Sequence, residues 1–121
     1  MHKLISEKLY DRGLEYRTGV VYTTNRRVWE WDDKFKGYLK ELSAIAVDME
    51  TATLFVVGHA NKIPRGALLL VSDLPMTPEG VKTTENDLKT NKSFVNLHLD
   101  IGIESVMDLG KNEEFIKHFQ Y

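Results

Sequence analysis

The sequence predicts an α/β fold, a partial sheet of about three strands flanked by about four helices, from three observations. Segments with helical apolar spacing alternate with runs of β-branched residues along the chain. Two apolar runs, Ala46-Val47-Asp48-Met49-Glu50 and Leu70-Val71-Ser72-Asp73, end abruptly in carboxylates. One helix-length segment, Thr51 to Lys62, lies between them. A strand–helix–strand unit of this kind is expected to be parallel, which would bring both sets of acids to one sheet edge. Ligands of open α/β sheets bind outside the carboxyl ends of the strands. Asp48, Glu50 and Asp73 are therefore candidates for one shared site.

The elements follow in order. Leu4, Ile5, Leu9 and Tyr10 recur at helical spacing and Gly13 ends the pattern as a cap, predicting a helix over 2–12. Tyr16 to Thr24 is rich in β-branched and aromatic residues and reads as a strand. Asp32 or Asp33 can cap a helix running to about Leu42, with Phe35, Tyr38, Leu39 and Leu42 on one face. Ala44 to Asp48 reads as a short buried strand. Thr51 to Lys62 is apolar on nearly every side, which predicts an enclosed helix closed by Pro64, with His59 as a core residue. Gly66 to Val71 is a near-continuous apolar run, expected as a strand covered on both faces. Pro75, Pro78 and Gly80 mark residues 74–87 as loop. A long amphipathic helix is expected from about Leu88 or Thr90 to Leu109, with Val95, Leu99, Val106 and Leu109 on one stripe and Phe94 and Ile101 beside it.

At 121 residues the chain is expected to form a single domain over 1–121. A net charge of -2 with dispersed Lys and Arg argues against nucleic acid as a partner. The chain has no cysteine, which excludes disulfides and thiolate metal sites and fits a reducing, cytoplasmic setting. No apolar run approaches the roughly 18 residues that span a bilayer, so no membrane is expected. The helix at 51–62 is too apolar to be left open to water and three strands make a thin sheet, so the chain reads as half of a larger domain.

Each carboxylate has an ordinary structural alternative. Asp48 could cap the following helix, Glu50 could sit in its first turn, and Asp73 could be a turn residue. Their coincidence at two strand ends is harder to explain by capping, because clustered acids raise the pKa of at least one member. A carboxyl that keeps its proton near neutrality suits a general acid, while ionised neighbours can hold sugar hydroxyls. That pairing fits cleavage of a glycosidic bond. The histidines His2, His59, His98 and His118 lack metal-ligand spacing, so no metal site is expected. Gly80 to Thr84 lacks the leading glycine and strand of a phosphate-binding loop. Trp29 and Trp31 could stack on a base or plug a core, and Arg26 and Arg27 could grip a phosphate or stay solvated.

Val47-Asp48-Met49-Glu50-Thr51-Ala52 resembles the (V/I)(E/D)ME(T/S/A)A signature of the nucleoside phosphorylase and nucleosidase superfamily. Leu70-Val71-Ser72-Asp73 resembles its second signature, and the stretches 18–30 and 67–76 are similar to the AMP nucleosidase branch. The resemblance runs from about residue 5 to 107 and implies a three-layer, twisted sheet flanked by helices, as in phosphorylases and hydrolases of this family. It implies hydrolysis of the N-glycosidic bond of AMP to adenine and ribose 5-phosphate, incomplete in this short form. A nucleoside phosphorylase and a non-catalytic fragment that associates with a partner are the alternatives. Asp73 would protonate N7 of the purine; Glu50 would bind the ribose 2′- and 3′-hydroxyls, with Met49 against the sugar and Asp48 supporting that pocket. Trp29, Ser72 and Lys82 would lie on the base side, and Arg26 and Arg27 are the weaker phosphate candidates. The implied partner is a purine nucleotide or nucleoside, with phosphate as a second ligand, no cofactor and assembly as a homo-oligomer. Members are longer, and the portion without a counterpart here is expected to be N-terminal and to carry the phosphate side of the pocket.

Overall fold

Leu9, Gly13 and Leu14 show how the sequence ends its first helix. The helix α1 (His2–Asp11) stops where Gly13 takes a left-handed φ of 62°. The Gly13 N–H then donates to the Tyr10 carbonyl at 2.9 Å and the Leu14 N–H to Leu9 at 3.0 Å, which satisfies two carbonyls left over at the helix end. The structure, a computed structural model, describes residues 1–77, 80 and 84–111.

After α1 come β1 (Val20–Thr23), α2 (Asp33–Glu41), β2 (Ala44–Asp48), α3 (Thr51–Ala60) and α4 (Thr84–Lys111). These form two compact units. Among the described residues, one holds Met1–Arg17, Thr53–Leu69 and residues 95–111; the other holds Thr18–Ala52 and the described part of Leu70–Phe94.

In the first unit, Ile5 and Leu9 of α1 bury against Ile101 of α4, with Met1, Leu14, Leu68 and Leu97 packed around them. Ion pairs of Arg12 with Glu104 and of Lys8 with Asp108 join the same helices along their polar margin. The buried stripe of α4 is Ile101, Ser105 and Leu109, spaced by four residues on one face. Leu99, Val106 and Phe94 are exposed instead, which corrects the expected stripe. Ser105 escapes detection by hydropathy because it is polar, yet its hydroxyl donates to the Ile101 carbonyl at 2.7 Å and so tolerates burial.

In the second unit, β1 and β2 make a two-stranded parallel sheet joined through α2. The strand–helix–strand unit is thus β1–α2–β2. The expected third strand at 66–71 is not formed; this run carries no strand pairing. Its apolarity suits a strand, but a strand needs a hydrogen-bonded neighbour, and no described strand pairs with this run. β1 is also shorter than expected. Val20 already pairs with Ala44, the first residue of β2, so residues 16–19 have no strand opposite them.

The register slips between Val20 and Val21, leaving Ile45 as an extra residue in β2. Its side chain lies over Gly19, where an added Cβ would stand 2.9 Å from Ile45 Cδ1. Trp29, Phe35 and Leu39 form the core of this unit, with Tyr22, Ala44 and Val47 packed against them.

The enclosure expected for α3 is absent. Leu54 is 64% and Val56 68% exposed, and only Gly58 of this helix is buried. An all-round apolar helix needs cover on every side, and the described residues supply it only near Gly58. His59 is likewise exposed rather than in the core, with Nδ1 3.2 Å from an Arg65 guanidinium nitrogen. The end of α3 came without a glycine signal. Lys62 takes the left-handed φ of 55°, and Ile63 N–H reaches back to the Gly58 carbonyl at 2.8 Å. No helix among the described residues is long and apolar enough to cross a membrane.

Candidate active site

Parallel pairing of β1 and β2 puts their carboxyl ends side by side. Thr23 and Asp48 are the last register partners, and the Thr24 N–H extends the pairing by donating to the Asp48 carbonyl at 2.8 Å. The loop beginning at Thr24 and the turn Met49-Glu50 therefore leave the sheet from one edge.

Asp48 spends both carboxylate oxygens on this edge. Oδ1 accepts the Thr23 hydroxyl at 2.6 Å; Oδ2 accepts the Thr51 N–H at 2.8 Å and also the Thr51 hydroxyl. It thus caps the start of α3, the structural alternative the sequence allowed, and supports the turn that carries the next two residues. Met49 and Glu50 are exposed on that turn, and Glu50 Oε2 accepts the Met49 N–H at 3.1 Å.

Ser72 and Asp73 are half-buried in the same unit. The Ser72 hydroxyl donates to Asp73 Oδ1. A tight turn follows at once, closed by the Thr77 N–H on the Leu74 carbonyl at 2.9 Å. Among the described residues no hydrogen bond or ion pair links Ser72 or Asp73 to Asp48, Met49 or Glu50.

Trp29 takes the core-plug alternative. It is 9% exposed and meets Phe35 edge-to-face with centroids 5.6 Å apart, while Trp31 is 72% exposed. Arg26 is committed within its own loop, 2.7 Å from Asp32 and with its guanidinium 5.1 Å from the centroid of the Phe35 ring. Arg27 is exposed on the loop after β1. Lys82 lies outside the described residues. No group of three or more metal-ligating side chains occurs among the described residues.

Thr23 and Thr24 also belong to this edge, although neither carries a site motif in the sequence. Thr23 Oγ1 both donates to Asp48 and accepts the Ala52 N–H at 2.9 Å, and buried Thr24 accepts the Arg26 N–H at 3.0 Å. The available signal was their position at the end of a strand, but only the observed register reveals Asp48 as the neighbour.

The family model described as the Phosphorylase superfamily matches residues 1–104, a span that includes both acidic segments. The chain belongs to the phosphorylase superfamily. Among relatives within this superfamily, AMP nucleosidase of Escherichia coli K12 is 37% identical over 91 residues, 74% of this chain and 19% of that protein. Its O157:H7 counterpart matches with the same identity and coverage. A crystal structure of AMP nucleosidase from Bacteroides thetaiotaomicron is similar with a TM-score of 0.72 and 50% identity, covering 91% of this chain and 42% of that one. The chain thus spans less than half the length of each of these relatives. The small parallel sheet and four helices are a partial version of the superfamily's α/β fold.

Proposed function

We propose that this chain supplies the ribose and purine side of a site that hydrolyses the N-glycosidic bond of AMP, releasing adenine and ribose 5-phosphate. The exposed Met49-Glu50 turn, anchored by Asp48 at the shared carboxyl edge of β1 and β2, carries the reading. The similarity to AMP nucleosidases supports the choice of a purine nucleotide as substrate.

In this reading Glu50 accepts the ribose 2′- and 3′-hydroxyls and Met49 packs against the sugar. Asp73 is the general acid. Ser72 occupies Oδ1, so Oδ2 is the oxygen that carries the proton to purine N7. Protonation draws electrons into the ring, the C1′–N9 bond breaks with its pair leaving on adenine, and water adds at C1′ as its own proton goes to solvent. Glu50 contributes more as the sugar becomes cationic, because its hydrogen bonds strengthen with that charge. The exposed apolar residues of α3 support association into a homo-oligomer.

The test is to incubate the chain with AMP in phosphate-free buffer and assay free adenine and ribose 5-phosphate. Binding of AMP is expected, and any adenine released should be matched by an equal amount of ribose 5-phosphate. Release that depends on added phosphate and yields a ribose 1-phosphate product would make the enzyme a phosphorylase. Absence of both AMP binding and adenine release would overturn the reading.

A further inference from the structure

We propose that Thr23 is a positioning residue for ribose recognition, acting on Glu50 through Asp48 and the first residues of α3. This rests on the reading of Glu50 as the ribose-binding carboxylate.

A threonine hydroxyl has one hydrogen to donate and two lone pairs to accept. Thr23 uses both capacities across the β2–α3 turn. It donates to Asp48 Oδ1 at 2.6 Å, where the turn begins, and accepts the Ala52 N–H at 2.9 Å, where the helix has taken over. Asp48 closes the same segment from within through the Thr51 N–H at 2.8 Å. The Thr24 N–H fixes the Asp48 carbonyl at 2.8 Å. Residues 48, 51 and 52 are thereby tied to β1 or to each other, and Met49 and Glu50 are carried between tied points.

One oxygen atom thus sets the distance between both ends of the turn. The bond to Asp48 is charge-assisted and so stronger than a neutral one. Loss of that hydroxyl would let the helix start shift relative to the strand, and displacements of about 1 Å are enough to weaken a positioned contact severely. Thr23 acts through Asp48 and the start of α3, so this role needs no contact with the sugar.

The test compares wild type, Thr23→Val, Thr23→Ala and Thr23→Ser by calorimetric titration with ribose 5-phosphate, AMP and adenine, and by hydrogen exchange at the Ala52 amide. Valine keeps the branched shape that suits a strand and removes the hydroxyl; alanine removes it without adding a methyl. Both are expected to bind ribose 5-phosphate and AMP roughly tenfold more weakly, as loss of a bond to a charged group predicts, with adenine affinity unchanged and faster Ala52 exchange. Serine restores both readouts. Equal weakening toward adenine and ribose 5-phosphate, or undiminished ribose 5-phosphate binding in both hydroxyl-free variants, overturns the proposal. Failure of the wild-type chain to bind ribose 5-phosphate is a separate result, which removes the Glu50 reading and this inference with it.

Discussion

Arg26 and Asp32 close the loop that leaves β1, with guanidinium nitrogen and carboxylate oxygen 2.7 Å apart. The other oxygen of Asp32 accepts the Phe35 N–H at 3.0 Å and caps α2. One side chain thus starts a helix and restrains an arginine otherwise suited to phosphate. Asp32→Ala is expected to lower the urea midpoint more than Asp33→Ala does. Asp33 pairs with Lys36 at 3.4 Å on the surface, and exposed pairs of that kind contribute little. Equal midpoints for the two variants would show that the cap does not stabilise α2.

The acid and alkaline limits of stability follow from the same chemistry. The Phe35 N–H, and after it Arg26, hold the Asp32 carboxyl below its ordinary 3.8. Asp108 is held below 3.8 chiefly by its hydrogen bond to Lys8, and Lys8 is raised above 10.5 by the same bond. The depressed carboxyls stabilise the fold above pH 3.8 and lose that contribution as pH falls through their folded values. The raised lysine stabilises below pH 10.5 and loses its share as pH climbs through its folded value. These three groups should therefore lower the urea midpoint as pH falls below 3.8 or climbs above 10.5, and Asp108→Asn should shallow the acid limb. Molar salt should shrink the effect, since the pair is at the surface.

Leu39 is 2% exposed at the centre of the cluster formed with Trp29 and Phe35. Leu39→Ala should cost about 3 kcal/mol, and Trp29→Ala about as much or more, through lost burial and the cavity left behind. Trp31→Ala should stay within about 0.5 kcal/mol, as exposed substitutions do. Denaturant unfolding followed by circular dichroism separates these cases. A small cost for Trp29→Ala would mean that the ring is not held in the core and is available to a ligand.

Lys62 ends α3 in a left-handed conformation that costs a side chain about 1–2 kcal/mol. Lys62→Gly relieves that cost and gives part of it back through the freer unfolded chain, so a net gain of about 0.5–1 kcal/mol is expected. Thermal unfolding of the single variant is sufficient. An unchanged or lowered midpoint would show that the lysine stem stabilises the end of α3 by as much as its backbone conformation costs.

Local signals were legible in the sequence and pairing was not. Gly13 and Asp32 announced helix ends because the caps they make depend on one residue's own chemistry. β2 is legible over Ala44–Asp48 because an apolar run bounded by polar residues is self-contained, but its residues are half-buried, with Ile45 exposed, rather than buried as expected. The 66–71 run has the same local character yet forms no strand, since a ladder depends on which neighbour is present. The site shows the same division. The acidic turn was visible as a motif, but its anchor Thr23 became visible only when register set it opposite Asp48. Lys62 could not be anticipated, because nothing in a lysine signals positive φ.

Asp73 and Glu50 should fail in different ways when changed, and the difference tests their assigned roles. Asparagine at position 73 preserves shape and can still accept the Ser72 hydroxyl, but it has no acidic proton for purine N7. Asp73→Asn should therefore bind AMP about as well as wild type and release adenine roughly 10²–10⁴-fold more slowly, about 3–5 kcal/mol of barrier. Glu50→Ala removes the proposed ribose contact, which would tighten as the sugar becomes cationic, so both affinity and rate should fall. Measuring AMP binding by titration and adenine release by single turnover resolves the two patterns. Near-normal turnover in Asp73→Asn would remove the acid role from Asp73, whereas undiminished AMP affinity in Glu50→Ala would remove ribose recognition from Glu50.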